Sequence, residues 1–371
     1  MLKFSLWTLL GIIAFEVAIA AFVNTPTNNT KPSKLVQYFD YGRSIESKII
    51  RMAGTNNSNA DPLLRSGWFA DKNTQPIDPE RNINTRQVFI YGMSFSNHIG
   101  KILSDLDKTL NIQMFAGPGA PLNHSYSYYI NHRPHNEGDI VILGVLASSL
   151  PRINTLTHMT GSFERPAGHF YPRYRLNKNN LLVKNEINIS SLRELRESIH
   201  DPQQWGHVKR ILSEYDSYYD PIIFEQQITD YSVYARLLKR AWGQRNSIST
   251  IQSYHDRTGF KNSDRMVEVA RSLVSDFATK VRADKAIPYV ILFNNRGYDD
   301  HLYKIMRPIL TEEKIPYYST HQEFPTTQLS NFRPDGHFTP EVDHMIAKTV
   351  LKEIQKLAGS YQADNLRKDD G

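Results

Sequence analysis

The 371-residue chain has no cysteine, which removes disulfides, thiolate nucleophiles and the thiolate-rich structural zinc sites from consideration. It also lacks any dense block of Lys and Arg: the formal charge of +6 is spread along the sequence and no recognition motif accompanies it, so nucleic acid is not expected as a partner. There is no phosphate-binding glycine loop, no internal repeat and no metal spacing of the His-Glu-x-x-His kind. His124, His132 and His135 fall within one short stretch and make a metal site conceivable, but their spacing is irregular, and no cofactor or metal is expected. What is present is 40% hydrophobic residues, enough for a substantial core in one enlarged domain or two.

Phe4 to Val23 is an almost unbroken apolar run of membrane-spanning length, preceded by Lys3 and followed by the polar stretch Asn24 to Thr30. Export follows from it. Ala18-Ile19-Ala20 resembles a signal-peptidase site, whereas the length of the run favours a retained anchor. Residues 1–24 therefore read as a signal anchor or signal peptide, with the rest of the chain outside the cytoplasm, held in a bacterial inner membrane or released to the periplasm. Glu16 is the costly residue of this segment. Residues 25–85, rich in Asn, Asp, Pro and Ser, read as a linker and N-terminal extension expected to pack partly on the main domain.

From Arg86 onward, short apolar runs alternate with helical patterns: Val88 to Tyr91, Ile112 to Phe115, Ile140 to Val145, Tyr289 to Phe293 and a weaker Pro316 to Tyr318. This is the alternation of a parallel sheet covered by helices on both faces. Between the third and fourth runs lies a large insertion, about Tyr174 to Arg257, mostly helical by pattern and rich in Tyr and Arg. It reads either as a lid or substrate groove, or as ordinary helix packing. The aromatic loop Met159 to Tyr174 just before it is a candidate substrate loop or a packed connection. The polar residues 359–371 read as a disordered tail.

The most informative run is Val88-Phe89-Ile90-Tyr91-Gly92-Met93-Ser94-Phe95-Ser96, an apolar strand ending in glycine and then serine. Ile99, Ile102, Leu103, Leu106 and Leu110 follow at helical spacing, so Ser94 falls at a helix N-terminus, where unpaired N–H groups favour developing negative charge. A capping serine with no chemistry would give the same local pattern. Near the other end, Asp335-Gly336-His337 places a carboxylate and an imidazole on one loop, and Thr339-Pro340 then opens a helix with Val342, Met345, Ile346, Val350, Ile354 and Leu357 on one face.

A serine early in the chain, with an acid and a histidine on a late loop before the last helix, is the order found in the SGNH, or GDSL-like, hydrolases, and residues 86–358 resemble that family. Gly92-Met93-Ser94 is similar to its Gly-Asp-Ser block, with Met93 in place of the aspartate. The resemblance implies a three-layer flavodoxin-like fold and a Ser94-His337-Asp335 triad, with the oxyanion held by the N–H groups of Ser94 and of Gly119 in Ala116-Gly117-Pro118-Gly119. Leu146 stands where the family's oxyanion asparagine is expected, and Ser148, Ser149 or Asn123 are possible substitutes. The family's Asp-x-x-His is one residue shorter here, a spacing of SGNH-like proteins that modify acyl groups on polysaccharides. The implied activity is that of an extracytoplasmic serine esterase acting through an acyl-enzyme on an acylated small molecule or polysaccharide. The alternatives are an O-acyltransferase of cell-surface polysaccharide and a non-catalytic glycan-binding protein that kept the fold. His98, four residues after Ser94, reads as a helix-surface or supporting residue, and the pair Asp343-His344 as a solvated helix face.

Overall fold

A computed structural model describes residues 2–24, 34–53 and 87–369. Most of the expected 25–85 extension therefore lies outside the described residues. Two compact units emerge, one drawn from Met1–Thr74, Thr155–Phe170 and Glu186–Thr250, the other from Gln75–Asn154, Tyr171–Asn185 and Ile251–Gly371.

The second unit holds β1 (Gln87–Met93), β2 (Asn111–Gly117), β3 (Ile140–Leu146), a hairpin of β4 (Arg173–Leu176) and β5 (Leu182–Asn185), the two-residue pair β6 (His255–Asp256) and β7 (Gly259–Phe260), then β8 (Ile287–Phe293) and β9 (Tyr317–Ser319). Five of these make one parallel sheet in the order β2-β1-β3-β8-β9. All five expected strands are present. β3 and β8 are buried at every residue, which is why they read as unbroken apolar runs instead of alternating ones. Successive side chains still part to opposite faces. Val88, Ile90, Ile140, Ile142, Tyr289 and Ile291 join a core with the helices Ser94–Leu106 and Pro340–Asp369. Phe89 and Tyr91 point the other way, towards the layer of Leu122–Asn131 and Met266–Ala283, where Tyr129 meets Phe277 at 4.8 Å between ring centres.

The result is an α/β unit with helices on both faces of a doubly wound sheet. The strand order reverses at β1, between its neighbours β2 and β3, and in such sheets the crevice beyond the carboxyl ends at that place is where ligands bind.

The first unit is helical. Its core brings Ile45 and Ile49 of the helix Ile45–Ala53 together with Leu195, Trp205, Leu212 and Phe224 of the insertion. The helix Ile45–Ala53 thus packs on the insertion. A buried carboxylate explains the choice: Asp230 accepts from Ser44 N and Oγ at 2.8 and 2.7 Å, from Ser47 Oγ at 3.0 Å, and from Lys239 Nζ at 2.8 Å. The insertion also differs from the expected 174–257. It takes in Thr155–Phe170 and leaves the hairpin at Tyr171–Asn185 to the sheet unit. Met159, Phe163 and Phe170 of the candidate substrate loop are core residues of the helical unit, so the connection is packed.

Instead of ending in a disordered tail at residue 359, the chain continues the last helix, Pro340–Asp369. No proline follows Gly359, and the Tyr361 hydroxyl donates to the Lys285 carbonyl at 3.0 Å, which holds the helix to the sheet unit beyond the glycine.

Candidate active site

β1 ends at Met93, whose backbone is extended, and the helix begins at Ser94 with no side chain capping it. The first N–H groups of Ser94–Leu106 are therefore left to solvent or to a ligand. The helix can start this close to the sheet because of two glycines. A Cβ on either Gly92 or Gly144 would land on the Ser96 hydroxyl, which is wedged between β1 and β3. Both glycines serve close approach, and the buried Ser96 fixes the turn that carries Ser94. Asn97 adds a tie to β2, donating to the Ala116 carbonyl at 3.0 Å.

The late loop closes on itself. Phe332 and Phe338 pair in an antiparallel bridge, Arg333 N donates to His337 O at 2.7 Å, and Gly336 N donates to Arg333 O at 3.0 Å. Gly336 takes φ +88°, a left-handed value that a side chain would strain. Phe338 is fully buried and meets Phe95 edge-on at 5.4 Å, which fastens this loop to the start of the serine helix. The His337 ring in turn stacks on Phe95 at 4.9 Å.

These contacts bring Ser94 Oγ to 2.8 Å from His337 Nε2. On the other edge of the ring, His337 Nδ1 lies 3.2 Å from Asp335 Oδ2, while the His337 backbone N–H donates to Asp335 Oδ1 at 3.1 Å. That backbone bond, and then the bond from the imidazole, hold the Asp335 carboxyl below the usual carboxylate range. An ionised Asp335 accepting from Nδ1–H leaves the Nε2 lone pair facing the Ser94 hydroxyl. The shortened Asp335-Gly336-His337 spacing therefore still lets both side chains converge. Unlike a buried triad acid, Asp335 keeps 63% of its side chain exposed.

A second carboxyl stands behind the ring. Asp343, in the first turn of Pro340–Asp369, is buried and is not on a solvated face, because that turn packs against the serine helix. Its Oδ2 lies 3.1 Å from His98 Nδ1, and the His98 ring centre is 5.2 Å from that of His337. Burial pushes the Asp343 carboxyl up to about 7, against the opposing pull of Arg333 and His337. Burial, and then the neighbouring His337, lower the His98 imidazole. His98 thus meets Asp343 and lies beside the His337 ring.

The candidate oxyanion donors divide. Gly119 follows β2, whose last residue, Gly117, is in register with Met93, so its turn sits at the same sheet edge as Ser94. Its φ of +74° explains the glycine. Leu146 is part of the apolar core. Ser149 donates its hydroxyl to the Leu146 carbonyl at 2.8 Å, Asn123 donates its amide to the Pro172 carbonyl at 2.7 Å, and Ser148 exchanges bonds with Asn295 at 3.0 and 2.9 Å. The three possible substitutes for the missing asparagine are thus engaged with other partners.

His124, His132 and His135 pack among aromatic rings in place of converging on one point. His132 meets Phe115 at 3.9 Å, His124 meets Tyr171 at 5.0 Å, and His135 Nε2 bonds the Tyr91 hydroxyl at 3.1 Å. Phe95 and Phe338 are the residues that sequence reasoning overlooked. Each is the aromatic neighbour of a candidate catalytic residue, a signal visible in Ser94-Phe95 and His337-Phe338. Compared with protein-family models and with curated protein sequences, the chain matches none.

Proposed function

We propose that the chain is an SGNH-type serine acyl hydrolase, held outside the cytoplasm by its N-terminal helix. The observation that carries this reading is the line Ser94 Oγ, His337 Nε2, His337 Nδ1, Asp335 Oδ2, with separations of 2.8 and 3.2 Å at its two ends. The same constellation serves nucleophilic acyl transfer in serine hydrolases of unrelated folds. The anchor rests on the helix Leu2–Asn24, whose stretch Leu6–Val23 has a mean hydropathy of 2.3.

In the proposed reaction the Ser94 oxygen attacks the ester carbonyl carbon as its proton passes to His337 Nε2. Asp335 steadies the imidazolium, and the N–H groups of Ser94 and Gly119 receive the negative oxygen. The C–O bond then breaks, His337 returns the proton to the departing alkoxide, and the acyl group stays on Ser94. Water, or a sugar hydroxyl in the transferase version of the same chemistry, reverses these steps and frees the serine. The short Asp335-Gly336-His337 spacing favours acyl groups on a polysaccharide as the substrate class.

The test is labelling of the detergent-solubilised full chain by a fluorophosphonate, alongside hydrolysis of a chromogenic acetyl ester. Labelling lost in Ser94→Ala and in His337→Ala, with both variants still folded, supports the proposal. Wild-type labelling no greater than that of either variant overturns it and leaves the non-catalytic reading.

A further inference from the structure

The helical unit carries an exposed apolar edge that neither the sheet nor the candidate site explains. Ile228, Tyr231, Leu238 and Trp242 expose 86, 64, 73 and 47% of their surface. Along the helix Val233–Tyr254, the residues Tyr234, Leu238 and Trp242 follow at four-residue spacing and so form one stripe, with exposed Arg245 one turn further on. Apolar surface gathered in this way marks a partner or a membrane.

The N-terminal helix indicates which. Glu16, its only acidic residue, turns both carboxylate oxygens to the start of Val233–Tyr254, accepting from Val233 N at 2.5 Å and from Tyr234 N at 3.1 Å. Phe15 lies against Tyr234, 6.1 Å between ring centres. The charge that is costly in a membrane segment is thus spent on the positive end of the very helix that carries the stripe.

This contact has a geometric consequence. If the helical unit stopped at the membrane surface, Glu16 would mark that surface, and only the fourteen residues Leu2 to Phe15 would remain for the hydrocarbon. At 1.5 Å per residue they span about 21 Å, whereas the hydrocarbon core is about 30 Å thick. The shortfall of roughly 9 Å is the depth to which amphipathic helices lying on a bilayer sink, about 5–10 Å. Tyr and Trp at the rim and an arginine beyond them are the residues suited to that depth.

We propose that the edge formed by Ile228, Tyr231, Leu238 and Trp242 is immersed in the headgroup and outer acyl region of the bilayer that holds the N-terminal helix. The inference rests on the membrane-anchor reading above. The occupant of the edge is lipid, and the helical unit is seated in the membrane beside the anchor.

Because the chain has no cysteine, single nitroxide labels can be placed at Leu238→Cys, Ile228→Cys, Ile12→Cys and, as a water-exposed reference in the same unit, Arg193→Cys. The full chain is reconstituted in vesicles of phosphatidylethanolamine and phosphatidylglycerol, and collision with oxygen is compared with collision with a water-soluble nickel chelate. The expected oxygen-to-nickel ratio at Leu238 and Ile228 is severalfold above that at Arg193 and approaches that at Ile12. A lipid value at Ile12 with a water value at Leu238 and Ile228 overturns the inference while leaving the anchor intact. Shielding of Leu238 from both reagents means that protein covers the edge, and also overturns it. A water value at Ile12 removes the anchor and the inference together.

Discussion

Ser94 Oγ and His337 Nε2 lie 2.8 Å apart although 243 residues of chain separate them. If the pair acts as proposed, Ser94→Ala and His337→Ala each lower acyl-ester turnover by at least ~10³-fold. Asp335 is the discriminating member. A buried triad aspartate is worth about 10⁴ in turnover, but Asp335 is mostly in water, where its charge is screened. Asp335→Asn is therefore expected to cost only about 10–100-fold, read from initial rates on an acetyl ester. A loss as large as that of His337→Ala would show that Asp335 does more than orient a solvated ring.

Asp343 gives a pH-dependent expectation. Its folded-state carboxyl titrates at about 7, against an ordinary value near ~3.9, so the native state keeps a proton that the unfolded chain releases. The stability of the neutral form is fully present below about pH 4 and is lost as the pH rises towards 7. Asp343→Asn, which keeps an acceptor for His98, should be more stable than wild type by about 1–3 kcal/mol at pH 8 and equal to it at pH 4. Urea titrations at the two pH values measure the difference. The same variant should label more slowly above pH 7, where the Asp343 carboxylate helps hold the His337 imidazolium.

The glycines flanking Ser96 predict a steric effect with its own rescue. Gly144→Ala sets a methyl group on the Ser96 hydroxyl and should cost about 1–3 kcal/mol through overpacking. It should also slow Ser94 labelling by up to ~10²-fold, because the helix that presents the hydroxyl must shift. Ser96→Gly in the same chain removes the clash and should restore most of the labelling. Failure of the double variant to recover would place the effect elsewhere.

Asp230 organises the helical unit. Burial alone would raise its carboxyl, but Lys239 and the N–H groups of Gln227 and Ser44 outweigh burial and lower it. Its contribution to stability is therefore present above about pH 4 and is lost as the pH falls through the depressed value. Asp230→Ala leaves the Lys239 ammonium, only 4% exposed, without its counter-charge, a loss of about 3–5 kcal/mol. Proteolysis of residues 34–53 at neutral pH should become much faster in this variant, since Asp230 ties Ser44 and Ser47 to the insertion.

Much of this architecture is written locally. The runs Val88 to Tyr91 and Tyr289 to Phe293 read as buried strands because both faces of the sheet are covered, and Thr339-Pro340 announces a helix by its own backbone preferences. Ser94 at the strand end and Asp335-Gly336-His337 before the last helix were therefore visible from short stretches. Asp343 was not, because a carboxylate in a helical first turn looks solvated until the packing partner of that turn is known. Nor was the partner of residues 34–53 visible: Ser44 and Ser47 look like ordinary polar residues until Asp230 reaches them.

The sequence by itself determined the elements, their chain order and the places where a hydroxyl, an imidazole and an acid stand, since each depends on periodicity and turn chemistry within a dozen residues. Only the tertiary structure decided that Phe338 anchors beside Phe95 and brings His337 to Ser94, that Leu146 fills core where a donor was sought, and that Glu16 finds a helix start. Such pairings depend on which surfaces bury each other across hundreds of residues, and that free energy belongs to the packed chain and to no segment of it.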